Sequence, residues 1–398
     1  DKRPKDISLE ELANVCCLKA KFIYETRERL LKELEESEQL DLFNKIELPL
    51  SCVLADMEIT GVKVDSEYLE SIEKELKIQM DKLESDIHND AGSNFNIMSP
   101  TQLAKVLFED LAIPYPKKVK DGKYSTSKDI LDKIAFVHPI VEKVLEYRTL
   151  AKLYTNYAVG LLEEVRNDGR IHTTYTQALT RTGRLSSISP NLQNIPARAE
   201  YSKLIRKAFV PDEGSKLLSS DYSQVELRIF AHMSNATNLI QAFIDGKDIH
   251  TKTASDIYKV PMEEVTKDMR RTAKAVNFGI LYGISSFGLS EDLGIDIGTA
   301  KKFIDNYLET YPGIKEYMEK EKADAYSLGY VKTLMNRKRV IEELKSKNSM
   351  IRSSGERMAL NTPIQGTAAD ILKKAMVEIY DELNKRGLKS KMLIQVHD

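Results

Sequence analysis

Little in this chain points to a disulfide staple, a membrane span or a phosphate loop. Only three of its 398 residues are cysteine (Cys16, Cys17 and Cys52); two are adjacent and none forms a CxxC pair. That spacing gives no zinc site and suits reduced thiols. Apolar runs are short, so no segment reads as a bilayer-crossing helix and no membrane partner is expected. Neither GxxxxGKS nor a strand-linked GxGxxG occurs, which disfavours P-loop and Rossmann nucleotide binding. Positive charge is not in excess: 59 Lys+Arg stand against 61 Asp+Glu, a net −2 with pI near 6.4. The total therefore does not announce a nucleic-acid binder.

What is present describes an ordinary globular chain, 42% hydrophobic and 30% charged. Its length favours two to four sub-domains. The opening DKRPKDISLE reads as the middle of a longer polypeptide, with no signal peptide. Charge is also segregated along the chain. Lys267, Arg270, Arg271 and Lys274 stand against Asp268; Lys332, Arg337, Lys338, Arg339, Lys345, Lys347 and Arg352 stand against Glu342 and Glu343. A neutral total can hide a basic groove, although most such runs are solvated faces.

Residues 9–45 are helical in pattern and acidic. A long amphipathic helix is predicted from Asp65, with Leu69, Ile72, Leu76, Met80, Leu83 and Ile87 at spacings of three and four. Ser99-Pro100 supplies a cap and a first-turn proline for another helix. Residues 113–129 form a lysine-rich loop, and helix resumes from Pro139 to about Arg166. After Gly169, RIHTTYTQAL (170–179) alternates as a strand does, and residues 181–196 read as a Gly/Ser/Pro/Asn loop. KLLSSD (216–221) and KMLIQVHD (391–398) read as strands running into an aspartate, with helices dominating from about Ser223 to Leu328.

Two strands of one sheet would bring Asp221 and Asp398 to one edge. Paired carboxylates are hard-oxygen ligands for Mg²⁺, and two such ions can drive phosphoryl displacement. A strand-end aspartate is equally a turn residue. The segment KDMRRTAKAVNFGILYGIS is more specific. On a helix, Arg270, Lys274, Phe278 and Tyr282 recur every four residues on one face, while Ala273, Val276, Ile280 and Leu281 can face a core. Cations followed by aromatic rings suit a nucleoside triphosphate: charge for the phosphates and a flat surface for base and sugar. An amphipathic helix with core aromatics is the plainer alternative, but it leaves the two cations unexplained.

DYSQVELR (221–228), RRTAKAVNFGILYG (270–283) and QVHD (395–398) resemble, in order and spacing, the three polymerase motifs of family A DNA polymerases. TGRLSS (182–187), NLQNIP (191–196), GKDIH (246–250), YPGI (311–314) and ERMALNTPIQGTAADI (356–371) fit the same pattern. The resemblance covers nearly the whole chain. FNIMSPTQLAKVLFE (95–109) and YSTSKDIL (124–131) are similar to low-GC Gram-positive members, and the match is to the large fragment of bacterial enzymes, ending early at the C-terminus.

The resemblance implies an α+β, mostly helical right-hand fold with an antiparallel palm sheet, a helical thumb and helical fingers. It implies an exonuclease-like remnant over 1–40, palm entry over 41–63, thumb over 64–163, palm over 164–222, fingers over 223–350 and an incomplete palm over 351–398. Asp221, Asp398 and the Tyr222 backbone carbonyl match metal positions for two Mg²⁺ ions. Arg270, Lys274 and His250 match triphosphate contacts, with Lys274 also assisting catalysis. Phe278 and Tyr282 match residues beside the nascent base pair. Arg184, Arg357, Asn361, Gln365 and His397 match residues facing primer–template DNA. Minor-groove acceptors are nearly alike for all base pairs, so such contacts check geometry without reading sequence.

Glu226 matches the glutamate that excludes ribonucleotides; Ser223-x-x-Glu226 also reads as a capping box. VCCLKAKF (15–22) puts Val15 and Lys19 where exonuclease-active members carry the tyrosine and aspartate of a metal motif, so proofreading is expected to be lost. The implied enzyme is a monomeric, cytoplasmic, nucleoid-associated bacterial DNA polymerase of replication and repair, using dNTPs. A chain ending at Asp398 is expected to be poorly active. A phage-type RNA polymerase, a metal nuclease and a non-catalytic DNA-binding module are the competing readings.

Overall fold

The computed structural model describes residues 7–116, 123–195 and 200–396, leaving aside the side chains of 200–202. The helices that carry the argument are α1 (Leu9–Glu36), α2 (Leu48–Thr60), α3 (Ser66–Ala91), α4 (Pro139–Leu153), α5 (Val225–Met233), α6 (Ile249–Tyr258), α7 (Lys267–Leu281), α8 (Pro312–Leu328) and α9 (Ser349–Lys385). Six short strands accompany them: β1 (Val62–Lys63), β2 (Arg170–Ile171), β3 (Thr174–Thr176), β4 (Ser186–Ile188), β5 (Tyr330–Lys332) and β6 (Lys338–Val340). They pair antiparallel as β1–β2, β3–β4 and β5–β6, with Val62 opposite Ile171, Tyr175 opposite Ser187 and Val331 opposite Arg339. The chain is thus mostly helical with small antiparallel sheets, as the α+β reading holds.

Local rules placed the long helices well. Asp65 caps α3, its Oδ1 accepting from Tyr68 N at 2.9 Å, and the apolar stripe from Leu69 to Ile87 is buried. Ser99 caps the short helix Pro100–Ala104 from Gln102 N at 3.4 Å. α1 opens on a capping box between Ser8 and Glu11 and buries none of its residues. The predicted run over 9–45 breaks at Glu38, whose φ of 59° lies in the left-handed region. Cys16, Cys17 and Cys52 are exposed free thiols.

Strands fared worse. Residues 170–176 do supply β2 and β3, but β4 lies inside the stretch read as loop. Thr173 and Ser187 bond side chain to side chain at 2.6 Å behind that pairing, a contact that alternation cannot reveal. KLLSSD is not a strand: it is exposed and enters no ladder, with Leu218 94% exposed. The described part of KMLIQVHD, 391–396, is likewise not a strand. Side chains hold it: the Tyr175 hydroxyl accepts from Gln395 N at 3.0 Å, and Gln193 Nε2 donates to Gln395 Oε1 at 2.7 Å. The physical reason is that a strand is defined by its partner, and neither segment pairs with the other.

Packing divides into separate cores. One spans α3, α4 and β1–β2, reaching Leu192, Ile205 and Ala208. A second joins α5, α6, α7 and the helices up to Ile314 with Ile364 and Ala368 of α9. A third packs α2 against Tyr175, Leu185, Met376 and Val377. α9 thus contributes to both the second and the third core, and the site forms beside it. Among the described residues no helix is long and apolar enough to cross a membrane.

Within α8, burial lifts the Glu321 carboxyl to about 7, with Asp324 adding to the shift and Lys320 opposing it. A carboxyl raised above its unfolded value near 4.3 favours the native state below that value and penalises it as pH rises through about 7. Glu321→Gln is therefore expected to melt above the parent at pH 8 and to converge with it at pH 4. A melting difference independent of pH would contradict the burial argument.

Candidate active site

α7 begins at Thr266, whose hydroxyl accepts from Met269 N at 3.2 Å. Its buried residues are Ala273, Val276, Asn277, Gly279, Ile280 and Leu281, so the apolar side faces the second core as the spacing predicts. The opposite stripe carries Arg270, Lys274, Phe278 and, one residue past the helix, Tyr282. Phe278 and Tyr282 stack with centroids 6.3 Å apart and planes at 26°. His250 of α6 lies against Phe278 at 5.8 Å, which extends the row of rings toward the cations.

The two cations are not equivalent. Arg270 grips Asp248 through Nη2–Oδ2 at 2.7 Å and Nε–Oδ1 at 3.3 Å. Asp248 is itself the cap of α6, accepting from Thr251 N at 2.7 Å. The Arg270 hydrogen bond, outweighing partial burial, holds the Asp248 carboxyl down to about 2. Lys274 has no ion pair or hydrogen bond among the described residues. The helix thus offers one guanidinium fixed in place and one ammonium still to be satisfied.

His250 is buried, and burial lowers its pKa, so its imidazole stays neutral at neutral pH. Asn277 Nδ2 lies 3.2 Å from its Nδ1, and Asn277 is in turn bonded to Thr253 at 3.1–3.2 Å. With Asn277 donating to Nδ1, the ring proton sits on Nε2, which makes His250 an uncharged donor.

Glu226 departs from its local reading. The cap of α5 is Gln224 in the left-handed region, φ 56° and ψ 40°, without a side-chain cap bond. The capping box predicted between Ser223 and Glu226 is therefore not formed. Glu226 instead turns inward and is buried, its Oε1 accepting from Arg184 Nη2 at 2.6 Å and its Oε2 from the Tyr282 hydroxyl at 2.6 Å. A buried carboxylate needs such donors, and two charge-assisted or phenolic bonds fix its position between the turn at Arg184 and the end of α7.

Arg357, Asn361 and Gln365 lie one turn apart along a single face of α9. Arg357 is exposed and Nη1 donates to Ser353 Oγ at 3.3 Å. Asn361 Oδ1 is buried without a hydrogen-bond partner among the described residues. α7 ends against this face: at Gly283, φ 69°, an added Cβ would sit 3.3 Å from both Arg357 Cγ and Leu360 Cδ1. A residue without a Cβ is what lets the Tyr282 end of α7 approach α9 so closely. The structure therefore brings Arg184, Glu226, Tyr282 and Arg357 to one place.

Asp221 and Tyr222 are exposed, and Asp221 takes no hydrogen bond or ion pair among the described residues. As a hard oxygen donor with no cation already on it, Asp221 fits a divalent metal. Among the described residues no group of three His, Cys, Asp or Glu could hold a metal. His397 and Asp398 lie outside the described residues.

A family model described as DNA polymerase family A matches residues 66–398 of this chain. The chain belongs to that family. Membership of family A implies use of a divalent metal. Similar relatives include DNA polymerase I of Bacillus subtilis (strain 168), 53% identical over 382 residues, covering 96% of this chain and 43% of that protein. DNA polymerase I of Geobacillus stearothermophilus is 50% identical over 389 residues, 97% of this chain and 44% of that one. The chain thus spans less than half the length of these relatives. The POL domain of Pol1 from M. smegmatis, solved in complex with DNA primer-template and dNTP, superimposes with a TM-score of 0.87 at 40% identity. That match covers 93% of this chain and 65% of the M. smegmatis chain.

Sequence reasoning missed three kinds of residue in this family A site. Asp248 sits two positions before His250 in GKDIH, so its cap position was readable, but its hold on Arg270 was not. Asn277 and Thr253 face each other across two helices. The third kind is a charge quartet, the buried Asp370 and Lys373 with the half-buried Glu47 and Arg337. Arg337 Nε donates to Asp370 Oδ1 at 2.7 Å, Lys373 Nζ donates to Glu47 Oε1 at 2.7 Å, and Arg337 Nη2 also bonds Glu47. In the sequence Arg337 lies in a basic run that reads either as a groove or as a solvated face; its contacts show that it faces inward. Burial lifts the Asp370 carboxyl, whereas at Glu47 burial is outweighed by Lys373 and Arg337 and the carboxyl falls.

Proposed function

We propose that this chain carries most of the polymerising unit of a template-directed DNA polymerase, adding dNMP from dNTP to a primer 3′-hydroxyl in replication and repair. The observation that carries this reading is the buried Glu226, pinned by Arg184 and Tyr282 at the foot of a helix whose next turns present aromatic rings and then cations. On this reading 1–40 is an exonuclease-like remnant, 41–63 the palm entry, 64–163 the thumb, 223–350 the fingers, and 164–222 with 351–398 the palm. The partners are primer–template DNA and dNTPs, the protein acts as a monomer, and its substrate draws it to the bacterial nucleoid.

Arg270 and Lys274 bind the triphosphate, with His250 donating an uncharged hydrogen bond beside them. Phe278 and Tyr282 bear on the nascent base pair. Glu226 fills the volume a 2′-hydroxyl would need, and the bonds from Arg184 and Tyr282 hold its carboxylate in that place. Arg184, Arg357, Asn361 and Gln365 face the primer–template duplex and its minor groove. On the same reading Asp221, the Tyr222 carbonyl and Asp398 serve the metals, and His397 serves the primer–template. Two Mg²⁺ ions held by Asp221, Asp398 and the Tyr222 carbonyl would neutralise charge on the reacting phosphate. Lys274 meets the charge that grows on the departing pyrophosphate.

Primer extension by the natural protein with dNTPs, NTPs or no nucleotide tests this reading. Extension with dNTPs alone is expected; shortening of the primer without nucleotide would favour a nuclease. Lys274→Ala should lower dNTP use by about ten- to a hundred-fold, the equivalent of one charge-assisted contact of roughly 1.5–3 kcal/mol. Duplex affinity should hardly change. A fall in DNA affinity alone would remove α7 from the triphosphate.

A further inference from the structure

We propose that Arg337 is a positioning residue for the sugar-selecting carboxylate of Glu226. The inference rests on the reading of Glu226 given under Proposed function. It starts from the anchoring of Arg337 at the turn between β5 and β6. Its guanidinium is tied to Asp370 and Glu47, and its backbone N donates to Thr333 Oγ1 at 3.0 Å. Thr333 Oγ1 in turn donates to Asp370 Oδ2 at 2.7 Å. Asp370 is 0% exposed and Lys373, completing the quartet, 1% exposed. A planar fork held by two carboxylates and backed by a third bond has little freedom to move.

The stem of this side chain is seated on Gly183. A Cβ at Gly183 would lie 2.6 Å from both Arg337 Cδ and Nε, and Gly183 has φ +85°. The turn has no room to sink toward Arg337. From the other side it is stopped by α9: a Cβ at Gly366 would lie 3.1 Å from Thr182 O. Within the turn, Thr180 Oγ1 donates to Arg184 O at 2.5 Å, and Leu185 is buried in the third core. The residue after Gly183 is Arg184, whose Nη2 holds Glu226 Oε1 at 2.6 Å.

Position is therefore relayed in three contacts: quartet to Arg337, Arg337 stem to Gly183, Arg184 to Glu226. Steric exclusion of a hydroxyl depends on sub-ångström placement of the excluding atom, so a loosened turn admits ribose before it impairs deoxyribose. A residue that merely stabilised the fold would lower use of both sugars alike and leave their ratio unchanged.

The test is the ratio of kcat/KM for dNTP over the matching NTP in the full natural protein, with melting temperature recorded for every variant. Arg337→Lys keeps the charge but loses the fork that spans two carboxylates. Gly183→Ala pushes on the same contact from the other side, at a φ of +85°, and removes none of the four charged side chains. Both are expected to lower the ratio by about ten- to a hundred-fold, the scale of effect that a misplacement near 1 Å produces. Glu226→Ala is the reference for lost selectivity. A folded Arg337→Lys or Gly183→Ala with the parent's ratio, beside a Glu226→Ala that has lost it, overturns the proposal. Should Arg337→Lys fail to fold, Gly183→Ala alone decides. If Glu226→Ala itself keeps the parent's ratio, Glu226 is not the sugar filter, and the fault lies with that reading, taking the proposal with it.

Discussion

Asp221→Asn, made in the full natural protein, is expected to reduce single-turnover nucleotide addition by several orders of magnitude while leaving duplex binding within a few-fold of the parent. Asp221 is exposed and carries no cation among the described residues, so its charge is not spent on holding the fold. An amide of the same shape removes the anionic oxygen donor and little else. Hard divalent cations depend on such charged oxygens, and loss of one ligand in a site that must place a reacting phosphate costs far more rate than binding. Equal melting temperatures for the two proteins would show that the effect is chemical. Near-parental addition by the variant would remove Asp221 from the reacting centre.

The second large effect concerns stability. Asp370→Ala is expected to destabilise the protein by about 3–5 kcal/mol, the usual penalty for breaking a buried ion pair from one side. Asp370 is fully buried and accepts from Thr333 and Arg337. Its removal leaves two cations sharing Glu47 and strands a hydroxyl. Denaturant unfolding should show a lower midpoint with an unchanged slope, meaning lost stability without a change in the surface exposed. A loss below about 1 kcal/mol would mean that water enters the quartet and satisfies it.

These two residues also mark the limits of reading the chain unaided. α7 was legible because its message is local: cations and rings every fourth residue and apolar residues between them. α3 and the helix at Pro100 were legible for the same reason, each opening on a side chain that accepts from the first turn. Glu226 was legible as a special residue only through its resemblance. Its local context argued for a capping box, and that argument failed because Gln224, not Ser223, turns the chain into α5. The carboxylate was then free to meet Arg184 and Tyr282, 42 and 56 residues away in sequence.

Strands were the weaker part throughout. KLLSSD has the apolar content of a buried strand, yet Leu218 lies 94% exposed because no ladder reaches it. β4, inside a segment rich in Gly, Ser and Pro, forms because Thr174–Thr176 is there to pair with it. A strand's existence is a property of two segments, and only one of them is in view at a time when a sequence is read.

The sequence by itself determined the long helices, the caps at Asp65 and Ser99, the chemical stripe on α7 and, through its motifs, membership of family A. Each of those rests on residues within a turn or two of one another, where side-chain spacing and backbone geometry are enough. The tertiary structure decided which charges are buried and which are free. Arg270 and Lys274 look alike in the sequence, but Asp248 occupies one and leaves the other open. Arg337 reads as one cation in a basic run, but Glu47, 290 residues away, and Asp370 draw it partly inside. The reason is that the energy of a charge depends on what surrounds it in space, and chain folding brings those surroundings from anywhere along the sequence.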